Sequence, residues 1–548
     1  MHLTEEQMKF SHALPSLTNG NIKCGTYNNP EMEYPGFLNT LSPDLGLFME
    51  ALRDTVRNER RMLLLDGKVL ICCHNWIRDC TYMLDAFKHW EYDNHSFFDY
   101  LIENQTEKGF FYELVKQMDD LHWKYVDEEC RKLFPEDNVA MVRLELEADI
   151  EYLMVLYAKS IYQVEGDKEY IRRILPNLEK GIEYMTSDPK RWNAEIGLVV
   201  RPYTIDTWDF TNDESSQTDR RIYEDKLCAM HGDNSGVYAA MTVLAEFNMM
   251  LDNNAKAFEW QERAENLRRA MFEHLWNGRF FMHQLPVTCE PLDEFERERL
   301  SLSNTYDMNR GVTSIEQSRS IIGEYMKRRE TTDAFCEFFT IDPPYKQFMI
   351  YPSGKYVNGA MSPFTAGELA LAAFQNGYEA YGYDIIKRFT ELWKKDKGVY
   401  FLYARSGGPV SIGAGPSGWG AAALLKAVEE GLAGVKDLSC KFGILGFAPR
   451  WAVTEYKCLR YITGYEKTHI HVDVRYEMIN TKMLYEIHTS SDQINCHILL
   501  PENKTCACAE VDGKNVPFML NTVGDSVYAD FIIAGKTQNK TEIVLTIA

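Results

Sequence analysis

The sequence predicts a mainly helical protein built from paired helices and followed by a small antiparallel β domain. Three observations carry this reading. Between about positions 44 and 435, apolar residues recur at steps of three and four, the spacing that keeps one face of a helix apolar. These periodic stretches come in pairs joined by short turns, with longer loops between one pair and the next. After about residue 440 the pattern becomes β-rich or alternating and turn signals multiply.

The elements follow in order. A weaker pair falls near 78–106. Leu146, Ile150, Leu153, Tyr157 and Ile161 define one helix, and Tyr170, Ile174, Leu178, Ile182 and Met185 its partner across a turn at Gly166-Asp167. Val237, Ala240, Val243, Leu244 and Phe247 are followed by Phe258, Ala264, Leu267, Met271 and Leu275, which Asn277-Gly278 stops. Another weaker stretch lies near 315–330, a third clear pair covers about 366–374 and 378–393, and a last helix starts near Gly418. Short turns inside pairs and long loops between them suit concentrically packed helical hairpins with loops gathered at one mouth. Segments such as His469–Tyr476 and Ile494–Leu500, separated by turns at Pro501-Glu502-Asn503 and Asp512-Gly513, make up the β domain. We expect an N-terminal extension over 1–43, the helical domain over 44–437 and an antiparallel β-sandwich over 438–548.

With 59 Lys and Arg against 81 Asp and Glu, the net charge is -22 and no basic stripe is present, which argues against nucleic acid as a partner. Thirteen cysteines without a paired Cys-x-x-Cys suggest reduced thiols and no zinc site. His469 and His471 share a strand face in this reading, but lack a third ligand nearby, so no metal is expected. The opening residues lack a basic then apolar leader, and no window is apolar enough to span a bilayer. A cytoplasmic protein without membrane contact is the expectation, and the sequons at Asn94, Asn104, Asn503 and Asn539 then carry little weight. A homo-oligomer is compatible with the sequence but not indicated by it.

The chemistry concentrates in Tyr203-Thr204-Ile205-Asp206-Thr207-Trp208-Asp209-Phe210-Thr211-Asn212-Asp213, three carboxylates around an indole in a loop between helical patterns. Cleaving a glycosidic bond needs one carboxyl group kept protonated for the leaving oxygen, and an apolar wall raises its pKa. Three further loops mix aromatic, amide and charged groups just ahead of helices: His74-Asn75-Trp76-Ile77-Arg78-Asp79, Tyr356-Val357-Asn358-Gly359, and Ser417-Gly418-Trp419. Such mixtures suit sugars, whose hydroxyls need polar partners and whose C–H faces need aromatic ones. A different signal, Gly413-Ala414-Gly415-Pro416-Ser417-Gly418, matches a Gly-x-Gly-x-x-Gly dinucleotide turn, but no second strand ending in an acid follows its helix, so no cofactor is expected.

The order of these motifs resembles the six-hairpin (α/α)6 glycosidases, the superfamily of trehalase, processing α-glucosidase I and α-L-rhamnosidase. Thr207-Trp208-Asp209-Phe210 is similar to the segment that holds their general acid, Trp76-Ile77-Arg78-Asp79 to their early sugar-binding loop, and Tyr356-Val357-Asn358-Gly359 to a late loop. The resemblance implies an (α/α)6 toroid and a glycoside hydrolase, inverting, acting on an oligosaccharide. Asp209 is then the general acid, with Asp206 as the alternative because one loop holds three carboxylates. The family's late glutamate base is missing at Val399–Arg405. Glu368 leads as replacement, with Asp79 and Asp233 behind it, and Asp233 is also read as a helix cap facing the pocket. Trp76, Arg78, Asp79, Trp208, Asp233, Tyr356, Asn358 and Trp419 are the expected substrate-binding residues. Arg78, Arg201, Lys355 and Arg405 lie near these loops and raise the prospect of an acidic sugar. The missing base leaves a glycoside phosphorylase, or an inactive carbohydrate-binding protein, as alternatives.

Overall fold

The computed structural model describes residues 23–24, 38–40, 43–118, 126–209, 222, 224–410, 416–535 and 540–548. Phe210 to Asp213, Gly413 to Gly415 and Asn539 lie outside them. Among the described residues the α-helices are, in chain order, α1 (Pro43–Asn58), α2 (Ile77–Phe87), α3 (Ser96–Glu103), α4 (Ile150–Glu165), α5 (Lys168–Met185) and α6 (His231–Met250). They continue with α7 (Asn254–His274), α8 (Ser303–Asn309), α9 (Ile315–Thr331), α10 (Pro363–Gln375), α11 (Glu379–Asp396) and α12 (Gly418–Lys426).

Alternate helices pack in cyclic order: α2 against α4, α4 against α6, α6 against α8, α8 against α10, α10 against α12, and α12 back against α2. Burial shows why they are inside. Every residue of α10 from Pro363 to Phe374 is buried, whereas α7, the hairpin partner of α6, buries only the stripe Ala257, Trp260, Ala264, Leu267 and Met271. A helix apolar all round belongs in a core, and one with a stripe belongs on its outside. Gly367 lets α10 and α12 touch, because a Cβ there would stand 2.5 Å from the backbone carbon of Ala423. Helix starts are fixed by side-chain caps: Asp167 accepts from the Glu169 and Tyr170 amides, Ser314 and Gln317 form a capping box, and Ser417 accepts from the Gly420 amide.

The weak signal near 315–330 is α9, and its partner α8, only seven residues long, shows no sequence period. Where a dinucleotide fold needs a parallel strand after α12, the chain has Val435–Asp437, which pairs antiparallel with Ile444–Phe447. A strand ending in an acid, Asp437, does follow α12, contrary to the sequence reading, but its antiparallel pairing is not the parallel one that a dinucleotide-binding turn requires.

The C-terminal part is β-rich. In chain order its strands, with one from the N-terminal segment, are β1 (Leu38–Thr40), β2 (Val435–Asp437), β3 (Ile444–Phe447), β4 (Cys458–Tyr465), β5 (Ile470–Ile479) and β6 (Lys482–His488). Next come β7 (Gln493–Leu499), β8 (Cys506–Val511), β9 (Lys514–Asn515), β10 (Met519–Val523), β11 (Ser526–Ala534) and β12 (Thr541–Ile547). One sheet runs β2-β3-β7-β11-β10 and the other β1-β4-β5-β6-β12-β8-β9. Their buried faces meet where the Phe447 and Tyr485 rings lie edge to face at 5.3 Å. The pairing departs from a purely antiparallel pattern at β3 and β7, which run parallel. His471 lies on β5, but His469 precedes the strand with a left-handed backbone, so the two do not share a strand face. Among the described residues no group of three His, Cys, Asp or Glu could hold a metal ion, and no helix is long and apolar enough to cross a membrane.

Candidate active site

A three-stranded sheet of Arg201–Pro202, Leu227–Met230 and Gln284–Pro286 carries the acidic loop on its first strand and leads into α6 from its second. Within the loop, Asp206 takes a left-handed backbone (φ 52°) and the Trp208 amide donates to the Ile205 carbonyl at 3.2 Å. Arg201, fully buried, donates to the Trp208 carbonyl at 2.5 Å. This turn brings Trp208 and Asp209 to a cavity of about 190 Å³.

The cavity collects side chains from the N-terminal ends of α2, α8 and α12. Trp76, Arg78, Asp79, Trp208, Asp209, Tyr356 and Trp419 all line it, so seven expected residues from four separate segments converge. Arg78 donates from Nε and Nη2 to Asp149 at 2.5 and 3.0 Å and reaches Glu147 at 3.0 Å. Trp208 Nε1 donates to the Tyr356 hydroxyl at 3.4 Å, and Trp419 Nε1 to that of Tyr306 at 3.0 Å. Trp419 stacks on Tyr82 at 4.7 Å and on Phe364 at 4.5 Å.

Asp79 occupies the first turn of α2. Its side chain keeps 28 % of its surface open, on the cavity side. Enclosure by protein elsewhere pushes its pKa up to about 6, because burial disfavours the charged form and outweighs the pull of Arg78 and Arg61.

Four expected residues lie off this cavity. Asp206 is buried behind the wall, accepting from the Ser303 and Thr207 amides at 3.0 and 2.9 Å and from the Ser303 hydroxyl. Asp233 is not the cap of α6, a place held by Met230; it sits in the first turn, 3.6 Å from Arg201, and burial raises its pKa to about 6. The Asn358 amide is spent on backbone, accepting from Tyr345 N at 2.8 Å and donating to the Tyr345 and Tyr351 carbonyls at 3.0 Å, so it shapes its loop. Glu368 lies in the second turn of α10 and borders a different cavity, of about 700 Å³, on which Arg310 and Lys426 also open. Its carboxylate accepts from Asn309 at 2.5 Å, and burial raises its pKa against the pull of Lys426 and Asn309.

Of the four cations near the loops only Arg78 lines the cavity. Arg201 is buried beside Asp233, and Arg405 is bound to Asp333 at 2.7 Å. Tyr82, Thr207, Leu302, Ser303, Tyr306 and Phe401 complete the lining and were not anticipated. Tyr82 follows Arg78 by one helical turn, a spacing that could have revealed it.

Two carboxyl groups on one cavity walled by indole and phenol rings, at the converging starts of helices, suit a carbohydrate-active enzyme. The mannosylglycerate hydrolase MGH1-like glycoside hydrolase domain matches residues 97–401, more than half of the sequence, and the chain belongs to this glycoside hydrolase family. Among solved structures it resembles a GH78 rhamnosidase of Bacillus sp. GL1, with TM-score 0.54 and 13% identity over 84% of this chain and 41% of that one. It also resembles an α-L-rhamnosidase of Dictyoglumus thermophilum, with TM-score 0.56 and 11% identity over 94% of this chain and 50% of that one. The Streptomyces avermitilis α-L-rhamnosidase, complexed with L-rhamnose, gives TM-score 0.56 and 10% identity over 94% and 42%. At such identities the likeness is one of fold, and the chain spans half or less of each of these proteins. No curated protein matches the chain.

Proposed function

We propose that this chain hydrolyses a glycoside with inversion, removing a terminal neutral sugar from an oligosaccharide bound in the 190 Å³ cavity. The observation that carries the reading is that Asp79 and Asp209 are, among the described residues, the two carboxylates on that cavity, within walls formed by Trp76, Trp208, Tyr356 and Trp419. Asp209 gives its proton to the glycosidic oxygen as the C1–O bond breaks. Asp79 takes a proton from the water that attacks C1 from the opposite face. A pKa of about 6 suits this second task, since such a carboxylate is ionised at neutral pH yet more basic than an ordinary one. Glu368 has no place in this scheme because it borders the other cavity.

Hydrolysis is favoured over phosphorolysis by the charge of the lining. Arg78 is its one cation among the described residues, and Asp149 and Glu147 already occupy it, leaving none for phosphate or a uronate. The cyclic order of α2, α4, α6, α8, α10 and α12 supports an (α/α)6 toroid, over residues 44–437, with a β-sandwich beyond it. The test is turnover of aryl glycosides, neutral and uronic, α and β, with and without phosphate, by wild type and Asp209→Asn. Phosphate-independent release from a neutral glycoside, lost by a factor of about 10²–10⁴ in the variant, is expected. Strict phosphate dependence would refute the hydrolase.

A further inference from the structure

Ser303, the first residue of α8, lines the cavity between Leu302 and Tyr306, and its hydroxyl is oriented from behind. Both its amide, at 3.0 Å, and its Oγ meet the buried Asp206 carboxylate. Burial works to raise the pKa of Asp206, but the facing His231 and the Ser303 and Ser301 hydroxyls outweigh it and hold the group below the ordinary carboxylate range. His231 is itself gripped at both nitrogens, Nδ1 by Asp307 at 2.6 Å and Nε2 by Ser301 Oγ at 2.7 Å.

An ionised carboxylate only accepts hydrogen bonds. The hydrogen of the Ser303 hydroxyl is therefore committed to Asp206, and what Oγ has left to offer is lone pairs. Gly232, in the first turn of α6, closes the other side. A Cβ there would stand 2.2 Å from Ser303 Oγ and 2.6 Å from Ser303 Cβ, so glycine alone lets α6 press against Ser303. The hydroxyl is thus fixed in direction before any ligand arrives, which removes the cost of ordering it on binding.

We propose that Ser303 is a specificity-determining residue that accepts a hydrogen bond from one hydroxyl of the bound sugar, with Asp206 as its positioning residue. The inference rests on the glycosidase reading of the cavity. It requires the sugar to donate at that position, so removing the hydroxyl, or replacing it with fluorine, which cannot donate, has the same consequence.

The test is calorimetric titration of wild type with a panel of monosaccharides, then with each monodeoxy and deoxyfluoro form of the tightest binder, repeated with Ser303→Ala. At one position both analogues are expected to bind wild type about tenfold more weakly than the parent. Ser303→Ala is expected to lose about tenfold on the parent and nothing more on those two analogues. The assignment is overturned if Ser303→Ala binds the parent like wild type, if its loss is spread evenly over all analogues, or if no deoxyfluoro sugar binds wild type more weakly. Gly232→Ala, which displaces Ser303 without removing its hydroxyl, should reproduce the loss at the same position. If wild type binds no sugar at all, the glycosidase reading itself fails, before any variant is made.

Discussion

Arg78, on the cavity lining, and Asp149 behind it form a bidentate pair, with Nε–Oδ2 and Nη2–Oδ1 separations of 2.5 and 3.0 Å. Both side chains are almost fully buried, as is Glu147, the second carboxylate on the same guanidinium. Arg78 thus supplies the charge that two buried acids need, and its orientation at the cavity is set by them.

Replacing Arg78 by Ala should therefore act on the fold as well as on binding. It strands Asp149 and Glu147 without a partner, and we expect a loss of about 3–5 kcal/mol, read by denaturant unfolding. Arg78→Lys keeps the charge but not the planar fork and should recover only part of that loss. Full stability in Arg78→Lys would show that the fork geometry is unimportant.

The acidic limb of the pH profile should belong to Asp79. As a base it must be ionised, so kcat/KM should be sustained above its pKa of about 6 and fall as pH drops through that value. A fall on the alkaline side of 6 instead would assign Asp79 as the proton donor and reverse the two roles.

Asp233 makes a linkage prediction free of catalysis. Its pKa rises from the ordinary 3.8 to about 6 in the folded protein, so between these values the native state binds more protons and stability falls as pH rises. Asp233→Asn removes that dependence. Between pH 4 and pH 8 the stability of the variant relative to wild type should improve by about 2 kcal/mol, on the scale of 1.36 kcal/mol per pKa unit, because the unfolded carboxyl is already about half ionised at the lower limit. A pH-independent difference would show that Asp233 is ionised in the native state throughout.

Two glycines on helices should respond oppositely to alanine. Gly367→Ala drives a methyl into the backbone of α12 and should cost about 1–3 kcal/mol. Gly323, within α9, has nothing within 4 Å of a built Cβ, so Gly323→Ala should stabilise by about 0.4–1 kcal/mol. Equal effects in thermal unfolding would argue against the close α10–α12 contact.

The long hairpins were legible because their apolar periods are strong: Ile150 to Met185 and Val237 to Met271 lie in helical hairpins where the spacing places them, while Leu146 falls in a turn ahead of the first helix and Leu275 caps the last. The short α8 was not, since seven residues buried on nearly every side carry no stripe. The same fact hid Ser303 and Tyr306, whose value comes from what folds against them. Seven of the expected site residues meet at the cavity because aromatic and charged groups ahead of a helix start point into a common mouth. Asn358, Asp206 and Asp233 share that local signature but spend their polar atoms, or lie, behind the wall. Whether a side chain faces the cavity or backs it depends on a single turn of loop, such as the left-handed step at Asp206, which composition does not encode. Glu368 shows the same limit along a helix: its place one turn further in takes it to the other cavity.

The stacking of Tyr82 on Trp419 joins the first of the inner helices to the last, across most of the chain. A ribosome has therefore made five of the six inner helices before the wall that Trp419 supplies exists. A fragment ending anywhere before α12 leaves α2 and α10 with bare apolar flanks facing a gap, a surface that chaperones bind and proteases find. Synthesis of this protein thus has a late commitment point, and until α12 docks the nascent chain lacks the Trp419 wall that completes the cavity.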